Sequence, residues 1–273
     1  LSQKVNFHVI EIPQKKSSMG ETLWRDEVGS FADRIEKLTG NSLTPESLSE
    51  AIRLMNRKRR LLSELNELRS LPRPPIIGRD ALVVMQVALI DDARRFSCKL
   101  ETLVQECRER AEAEISPFEN IPLRVMVAGS PSVMGNWLVH ALIEEAGAAV
   151  VCDETCTGVR YYDGLVEDNR LTVDEQLDAI AKRYLTIDCS CFSPNDERLE
   201  RVTGLIQKYA IDAVVQYVLQ YCHTYNIESV RVNGLLDKMG IPNMLIETDY
   251  APGQDERLRT RIEALFEGVV ARA

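Results

Sequence analysis

The chain lacks an apolar run of the length that crosses a bilayer, which takes about 20 residues, and it contains no internal repeat or low-complexity segment. It also lacks an excess of positive charge, since the formal net charge is −9. Nucleic acids and anionic membrane surfaces attract basic proteins, so this balance argues against both as partners. We expect a cytoplasmic protein with no nucleic-acid and no membrane partner.

Cysteines are sparse, and their spacing excludes the common metal motifs. Seven cysteines in 273 residues do not fit the dense disulfide framework of a small secreted domain. No Cys-x-x-Cys pair occurs, which excludes a zinc ribbon and a clustered ferredoxin-type ligand set. Reduced thiols, a few of them ligands, fit this pattern better.

The order of apolar patterns predicts an α/β fold with a parallel, Rossmann-like sheet. Helical stretches are expected up to Ile115, and the basic segment 55–60 is interpreted there as a solvated helix face. After Pro117, segments typical of strands alternate with helices. Because parallel strands are joined by crossover helices, this alternation predicts one parallel sheet. The predicted strands are residues 123–128, 149–152, 213–220 and 243–247.

The same reading predicts four regions. Residues 1–21 are expected to hold the last strand of an N-terminal α/β domain, at residues 5–12. Residues 22–116 form a helical region, residues 117–252 the Rossmann-like domain and residues 253–273 a C-terminal helix.

The loop at residues 129–135, after the first strand of the sheet, is a candidate ligand site. Gly129, Ser130 and Gly135 would offer backbone N–H groups and a helix N-terminus to a phosphate or a thioester oxygen. The loop lacks the glycine spacing of a dinucleotide fingerprint or a Walker loop. A tight turn is the alternative interpretation, and a nucleotide-binding domain would rest on this loop alone.

The loop at residues 152–160 gathers two thiols, two carboxylates and Arg160. Such a group fits metal ligation or acid–base chemistry, with Cys156 as the candidate metal ligand. The alternative is a polar loop in which Arg160 pairs with Asp153 or Glu154.

Cys222 follows the predicted strand 213–220 and stands beside His223. Open α/β sheets bind their ligands at the carboxyl ends of their strands. Cys222 is therefore a candidate iron–sulfur ligand, and the alternative is a buried structural thiol.

Four segments of the chain form a combined signature. They are Asp153-Glu-Thr-Cys-Thr-Gly-Val-Arg160, Ala181-Lys-Arg-Tyr184 with Cys189-Ser-Cys191, Gln220-Tyr-Cys222-His-Thr-Tyr-Asn226 and Leu245-Ile-Glu-Thr-Asp-Tyr250. Together these segments resemble the 2-hydroxyacyl-CoA dehydratase and benzoyl-CoA reductase family, and their order and spacing match across most of the chain. The Cys189-Ser-Cys191 pair, followed by Ser-Pro-Asn-Asp, is also similar to the double-cubane-cluster branch of that family.

The resemblance implies a lyase of anaerobic metabolism that holds an iron–sulfur cluster. It implies two α/β domains, a dimer with an identical or related subunit, and an ATP-dependent iron–sulfur activator protein that supplies one electron. In the dehydratases this electron removes water from an acyl-CoA substrate through a ketyl radical, whereas the double-cubane branch reduces small molecules. Cys222 matches the family's cluster cysteine, and Cys156 is a second candidate ligand.

We expect the family's N-terminal α/β domain to be missing from these 273 residues. Cys222 alone cannot hold a [4Fe–4S] cluster, which takes about four ligands. A [4Fe–4S] or double-cubane cluster is therefore expected only together with the missing N-terminal part. The chain is interpreted as a subunit or fragment of the dehydratase, with the double-cubane reductase or a non-catalytic α/β scaffold or dimerisation module as alternatives.

Overall fold

The computed structural model describes residues 6–249 and 255–272. These residues fold into two units, one of residues 6–57 and 164–195, the other of residues 58–163, 196–249 and 255–272. The elements are α1 (Ser18–Thr39), α2 (Pro45–Leu68), α3 (Gly78–Ala88), α4 (Ala93–Glu112), β1 (Leu123–Gly129), α5 (Leu138–Glu145), β2 (Ala148–Glu154), α6 (Val159–Tyr162), α7 (Val173–Leu185), α8 (Asp196–Tyr209), β3 (Ala213–Leu219), α9 (His223–Met239), β4 (Asn243–Thr248) and α10 (Asp255–Val270).

A parallel sheet of four strands, in the order β2-β1-β3-β4, forms the centre of the second unit. The predicted α/β fold with a parallel sheet is thereby confirmed. β1, β2 and β3 are buried along almost their whole length because helices cover both faces, which explains their continuous apolar sequences. α5 and α10 pack on one face, and α2, α4, α8 and α9 supply the core of the other face.

The strand order of the sheet reverses between β1 and β3, which are neighbours in the sheet but not in the sequence. β2 lies on one side of β1 and β3 lies on the other. The helices that follow β1 and β3, which are α5 and α9, therefore cover opposite faces. A crevice opens outside the carboxyl ends of such a strand pair. The loops that begin at Ser130 and Gln220 leave the sheet beside this crevice.

Helix boundaries follow local signals in the sequence. The side chain of Ser17 accepts a hydrogen bond from the N–H of Gly20 at the start of α1, and Gly40 ends that helix in the left-handed conformation. Thr172 and Glu175 form a capping box at the start of α7. Among the described residues, no helix is long and apolar enough to cross a membrane.

The strand predicted at residues 5–12 is not present in the described part of that segment. Residues 6–12 form neither a strand nor a helix, and Val5 lies outside the described residues. A strand needs a neighbour for its backbone hydrogen bonds, and the four described strands all belong to the second unit. The side chains of Phe7, Val9 and Ile12 are exposed.

The basic segment 55–60 of α2 is a solvated face only in part, because Arg57 and Arg60 are exposed whereas Lys58 and Arg59 are buried. Lys58 Nζ donates to the carbonyl of Ala88 at 2.9 Å and lies 5.2 Å from the ring centroid of Tyr161. The buried amide of Asn56 exchanges two hydrogen bonds with the backbone of Val166. The spacing of charges within α2 could not predict these partners, because they lie far away in the sequence.

Gly129 is required by the close approach of β1 to β3. Its φ is +123°, and a Cβ atom there would lie 2.2 Å from the carbonyl oxygen of Tyr217. We predict that Gly129→Ala lowers the free energy of unfolding by more than about 2 kcal/mol, because strain and a backbone clash add. Urea unfolding measures this difference.

Gly204→Ala is the matched control. Gly204 lies inside α8, and a Cβ atom there would meet nothing within 4 Å. This substitution should stabilise the protein by about 0.5–1 kcal/mol through helix propensity. An unchanged urea midpoint for Gly129→Ala would contradict the assigned role of Gly129.

Candidate functional site

β2 ends in two buried carboxylates that face opposite sides of the sheet. Successive side chains of a strand alternate between its faces. Asp153 accordingly contacts His140 of α5, whereas Glu154 contacts Arg198 of α8. α5 and α8 contribute to the cores on the two opposite faces. The end of β2 is thus held from both sides by charged groups.

Asp153 is held by two buried basic side chains. Its Oδ1 lies 2.5 Å from His140 Nε2, and its Oδ2 accepts from Arg69 Nη2 at 3.0 Å. Arg69 also donates to the carbonyl of Val150 at 2.7 Å and to Asn66 Oδ1 at 2.6 Å. Burial by itself would raise the pKa of Asp153, but the charges and hydrogen bonds of His140 and Arg69 bring it below its ordinary value. This carboxylate is therefore ionised and structural.

Glu154 is completely buried between two arginines. Its Oε1 accepts from Arg160 Nε at 2.8 Å, and its Oε2 accepts from Arg198 Nη2 at 2.9 Å. Arg160 Nη2 reaches further, to the carbonyls of Glu154 at 2.6 Å and Gly129 at 3.2 Å. The predicted pairing of Arg160 with Glu154 is confirmed, whereas Asp153 pairs with Arg69 and His140 instead.

Arg160 is presented by α6, a four-residue helix that the sequence did not predict. Gly158 stands before it, and a Cβ atom at Gly158 would lie 2.1 Å from the carbonyl oxygen of Asp153. Only glycine allows the chain to turn this closely over the end of β2. The turn carries Arg160 back over the strand that it follows.

Cys156 is an exposed thiol at the edge of this arginine cluster. Its Sγ lies 3.5 Å from Arg160 Nη1 and 3.7 Å from the hydroxyl of Tyr225. Arg160 Nη1 also donates to that hydroxyl. Tyr225 is buried, so the loop after β2 meets the helix after β3 at Cys156.

Cys222 is the N-cap residue of α9, which begins at His223, whereas the sequence predicts a helix from Glu228 to Met239. The backbone oxygen of Cys222 accepts from the N–H of Asn226 at 3.0 Å, and its Sγ lies 3.7 Å from Thr224 Oγ1. Its side chain is only partly buried, so the structure does not enclose Cys222 as a core thiol. The early start of α9 places Tyr225 on the first turn of the helix.

The loop after β1 uses some of the groups that were predicted to bind an anion. The N–H of Ser130 donates to the carbonyl of Tyr217 at 2.8 Å, and the Ser130 hydroxyl accepts from the N–H of Leu219 at 3.2 Å. Gly129 pairs with Tyr217 in the sheet. Gly135 has a φ of +86° and open space around it. Ligand binding at Gly129, Ser130 and Gly135 stays a prediction. The N–H of Ser130 cannot contribute to it, because that group already donates to Tyr217.

Arg160 and Tyr225 join the three predicted loops into one site. Arg160 contacts Gly129 of the first loop, Cys156 of the second, and Tyr225, which is three residues from Cys222 in the third. Arg198 and Tyr225 were not singled out from the sequence. Tyr225 lies inside a segment that carried the family resemblance, but Arg198 approaches from α8 and no local pattern connects it with Glu154.

The thiols at this site do not form a complete metal centre. Across residues 6–249 and 255–272, no group of three or more His, Cys, Asp or Glu side chains is arranged to hold a metal ion. A [4Fe–4S] cluster takes about four ligands. Cys156 and Cys222 therefore do not suffice to hold such a cluster.

Comparison with known proteins identifies relatives along nearly the whole chain. The family described as "2-hydroxyglutaryl-CoA dehydratase, D-component" matches residues 1–269. The "Putative dehydratase subunit YjiM" of Escherichia coli (strain K12) is 33% identical over 95% of this chain and 67% of its own length.

Two further relatives carry substrate names. The "(R)-phenyllactyl-CoA dehydratase beta subunit" of Clostridium sporogenes is 24% identical over 97% of this chain and 68% of its own length. The "(R)-2-hydroxyglutaryl-CoA dehydratase, subunit beta" of Acidaminococcus fermentans is 21% identical over 93% of this chain and 66% of its own length. The chain thus spans about two thirds of the length of these relatives.

Asp153→Asn tests the buried network on the α5 side of β2. We predict a loss of about 3–5 kcal/mol in the free energy of unfolding at neutral pH, because Arg69 and His140 would lose their shared carboxylate. The folded-state pKa of Asp153 is lowered. Its contribution is therefore present above the unfolded-state pKa and is lost as the pH falls through the folded-state pKa. Urea unfolding between neutral and acidic pH should show the two proteins converging.

Glu145→Gln is the control for this comparison. Glu145 pairs with Arg259 at 2.8 Å on the surface. Its removal should change the free energy of unfolding by less than about 1 kcal/mol. If Asp153→Asn lowers the free energy of unfolding no more than Glu145→Gln does, the buried network contributes no more stability than a surface ion pair.

Proposed function

The chain belongs to the 2-hydroxyglutaryl-CoA dehydratase D-component family, and we propose that it is a subunit of an enzyme that removes water from a 2-hydroxyacyl-CoA thioester. Two relatives are named as beta subunits of dehydratases that act on CoA thioesters. They match this chain over more than nine tenths of its length. The proposed assembly therefore includes a second, identical or related subunit.

The observation that carries this proposal is the joining of three strand-end loops at one site. The crevice at β1 and β3 is where an open α/β sheet holds a ligand, and Arg160 and Tyr225 connect it to Cys156. Met134 and Trp137 in the loop after β1, and Tyr221 after β3, are exposed apolar side chains near this crevice. Apolar walls with a few polar groups suit an acyl chain whose thioester oxygen needs a donor.

We further propose that Cys222 and Cys156 are two ligands of an iron–sulfur cluster whose remaining ligands lie outside the described residues. Such a cluster supplies one-electron chemistry, and an ATP-dependent iron–sulfur activator protein would be its electron donor. The chain's own part is to hold the two thiols. Cys222 is fixed as the cap of α9 and Cys156 stands against Arg160.

The dehydratase assignment is tested with the protein from its complete gene, isolated anaerobically together with its activator and partner subunit. Given ATP and a reductant, it should convert a 2-hydroxyacyl-CoA to the corresponding enoyl-CoA, and mass spectrometry should show the loss of one water. Turnover that is absent across aliphatic, aromatic and dicarboxylic 2-hydroxyacyl thioesters would overturn the assignment.

Iron ligation is tested by comparing Cys222→Ala with Cys98→Ala. Cys98 is an exposed thiol on α4. The first variant should lose most of its bound iron and sulfide and the visible absorbance of the cluster, because one ligand is gone, whereas the second should keep all three. Urea midpoints close to that of the unmodified protein would exclude misfolding as the cause.

Two results would reject iron ligation. One is a protein that remains colourless and free of iron after anaerobic reconstitution. The other is a Cys222→Ala variant that retains the iron content of the unmodified protein.

A further inference from the structure

Arg160 is a buried arginine that directs one of its N–H groups at a sulfur atom. A guanidinium group carries five N–H groups. The Nε and Nη2 groups of Arg160 donate to Oε1 and the carbonyl of Glu154 and to the carbonyl of Gly129. Its Nη1 donates to the hydroxyl of Tyr225 and lies 3.5 Å from Cys156 Sγ. Four of these acceptors are oxygens, and the fifth is the sulfur of an exposed residue.

Tyr225 brings a second donor to the same sulfur. Its hydroxyl lies 3.7 Å from Cys156 Sγ. A thiolate that ligates a metal has no proton, so in that state the hydroxyl is the donor and the sulfur is the acceptor. Tyr225 and Arg160 are both buried, whereas Cys156 is exposed. Two donors are therefore held against Cys156 from the protein side.

The sulfur of Cys156 is a good acceptor only when it carries negative charge. A thiol sulfur accepts weakly, whereas hydrogen bonds to an ionised acceptor are roughly twice as strong as those between neutral groups. A cysteine that ligates iron is a thiolate, and the negative charge on the ligand sulfurs grows when the cluster gains an electron. Hydrogen bonds to these sulfurs accordingly help to set the reduction potential of a cluster.

We propose that Arg160 and Tyr225 are positioning residues that hold Cys156 Sγ and raise the reduction potential of the iron–sulfur cluster that it ligates. This inference rests on the proposed ligation by Cys156, and it assigns a function to two neighbours that are not ligands. Glu154 holds Arg160 in place, because its buried carboxylate accepts from Nε at 2.8 Å. A higher potential lowers the driving force that the electron donor must supply.

Tyr225→Phe tests the inference and leaves the ion pairs of Glu154 in place. The protein from the complete gene is titrated anaerobically with a low-potential chemical reductant, and electron paramagnetic resonance gives the midpoint potential. One electron passes from the reductant to the cluster, and no bond to Cys156 breaks. We expect the equilibrium constant of this reduction to fall about tenfold in Tyr225→Phe, which lowers the midpoint potential by about 59 mV.

Tyr162→Phe is the matched control. Tyr162 is also buried, lies on α6 and is hydrogen-bonded to Tyr209. The substitution removes a buried hydroxyl two residues from Arg160, and it should leave the midpoint potential unchanged. An equal decrease in Tyr162→Phe would show a general effect of losing a buried hydroxyl and would overturn the role of Tyr225.

Arg160→Gln is the second test variant. It removes the positive charge and the N–H group beside Cys156 Sγ, so it should lower the midpoint potential further than Tyr225→Phe. Because Glu154 then loses a buried partner, the urea midpoint of each variant is measured as well. Where Arg160→Gln does not fold, the comparison of Tyr225→Phe with Tyr162→Phe decides.

The iron content separates this inference from the proposals on which it rests. An iron-replete Tyr225→Phe protein with the midpoint potential of the unmodified protein would reject the inference and leave iron ligation standing. Protein that stays free of iron after anaerobic reconstitution would reject ligation and the inference together. A protein that shows the expected shift in potential but converts no 2-hydroxyacyl-CoA would reject the dehydratase assignment alone.

Discussion

The buried carboxylate of Glu154 is the interaction on which the candidate site depends. Arg160 of α6 and Arg198 of α8 both bind it in a region that excludes water. A buried ion pair adds little stability compared with apolar packing, but removing one partner is strongly unfavourable. Glu154 thus forces the loop after β2 to fold back over the strand, and this return places Arg160 against Gly129 and Tyr225.

Asp153 and Glu154, at the end of β2, contact different parts of the protein because successive side chains of a strand point to opposite faces of the sheet. Asp153 joins the strand to α5 and to the end of α2 through His140 and Arg69. Glu154 organises the other face, where Cys156 is exposed. The same division explains why an exposed thiol can stand beside a rigid, highly charged cluster.

The sequence predicted the parallel sheet and most helices because their apolar patterns are local. As the alternative to metal ligation after β2, it offered a pairing of Arg160 with Asp153 or Glu154, and Arg160 pairs with Glu154. It could not identify Arg198, whose contact with Glu154 spans 44 positions and has no periodic pattern. Residues 6–12 of the predicted strand 5–12 form no strand in the described structure, because an alternating pattern does not supply a neighbouring strand. The helix start at His223 was missed because the side chain of Cys222 makes no capping hydrogen bond to the backbone of α9, so the usual sequence signal of a helix start is missing.

The central claim is that the loops after β2 and β3 supply thiols to one iron–sulfur site. An anaerobic crystal structure of the protein from its complete gene, with anomalous scattering recorded at the iron absorption edge, measures this most directly. The account predicts an iron peak bonded to Cys222 Sγ and, within the same cluster, a bond to Cys156. Iron bound away from both cysteines, or an iron-replete protein in which Cys222 carries no metal, would contradict it.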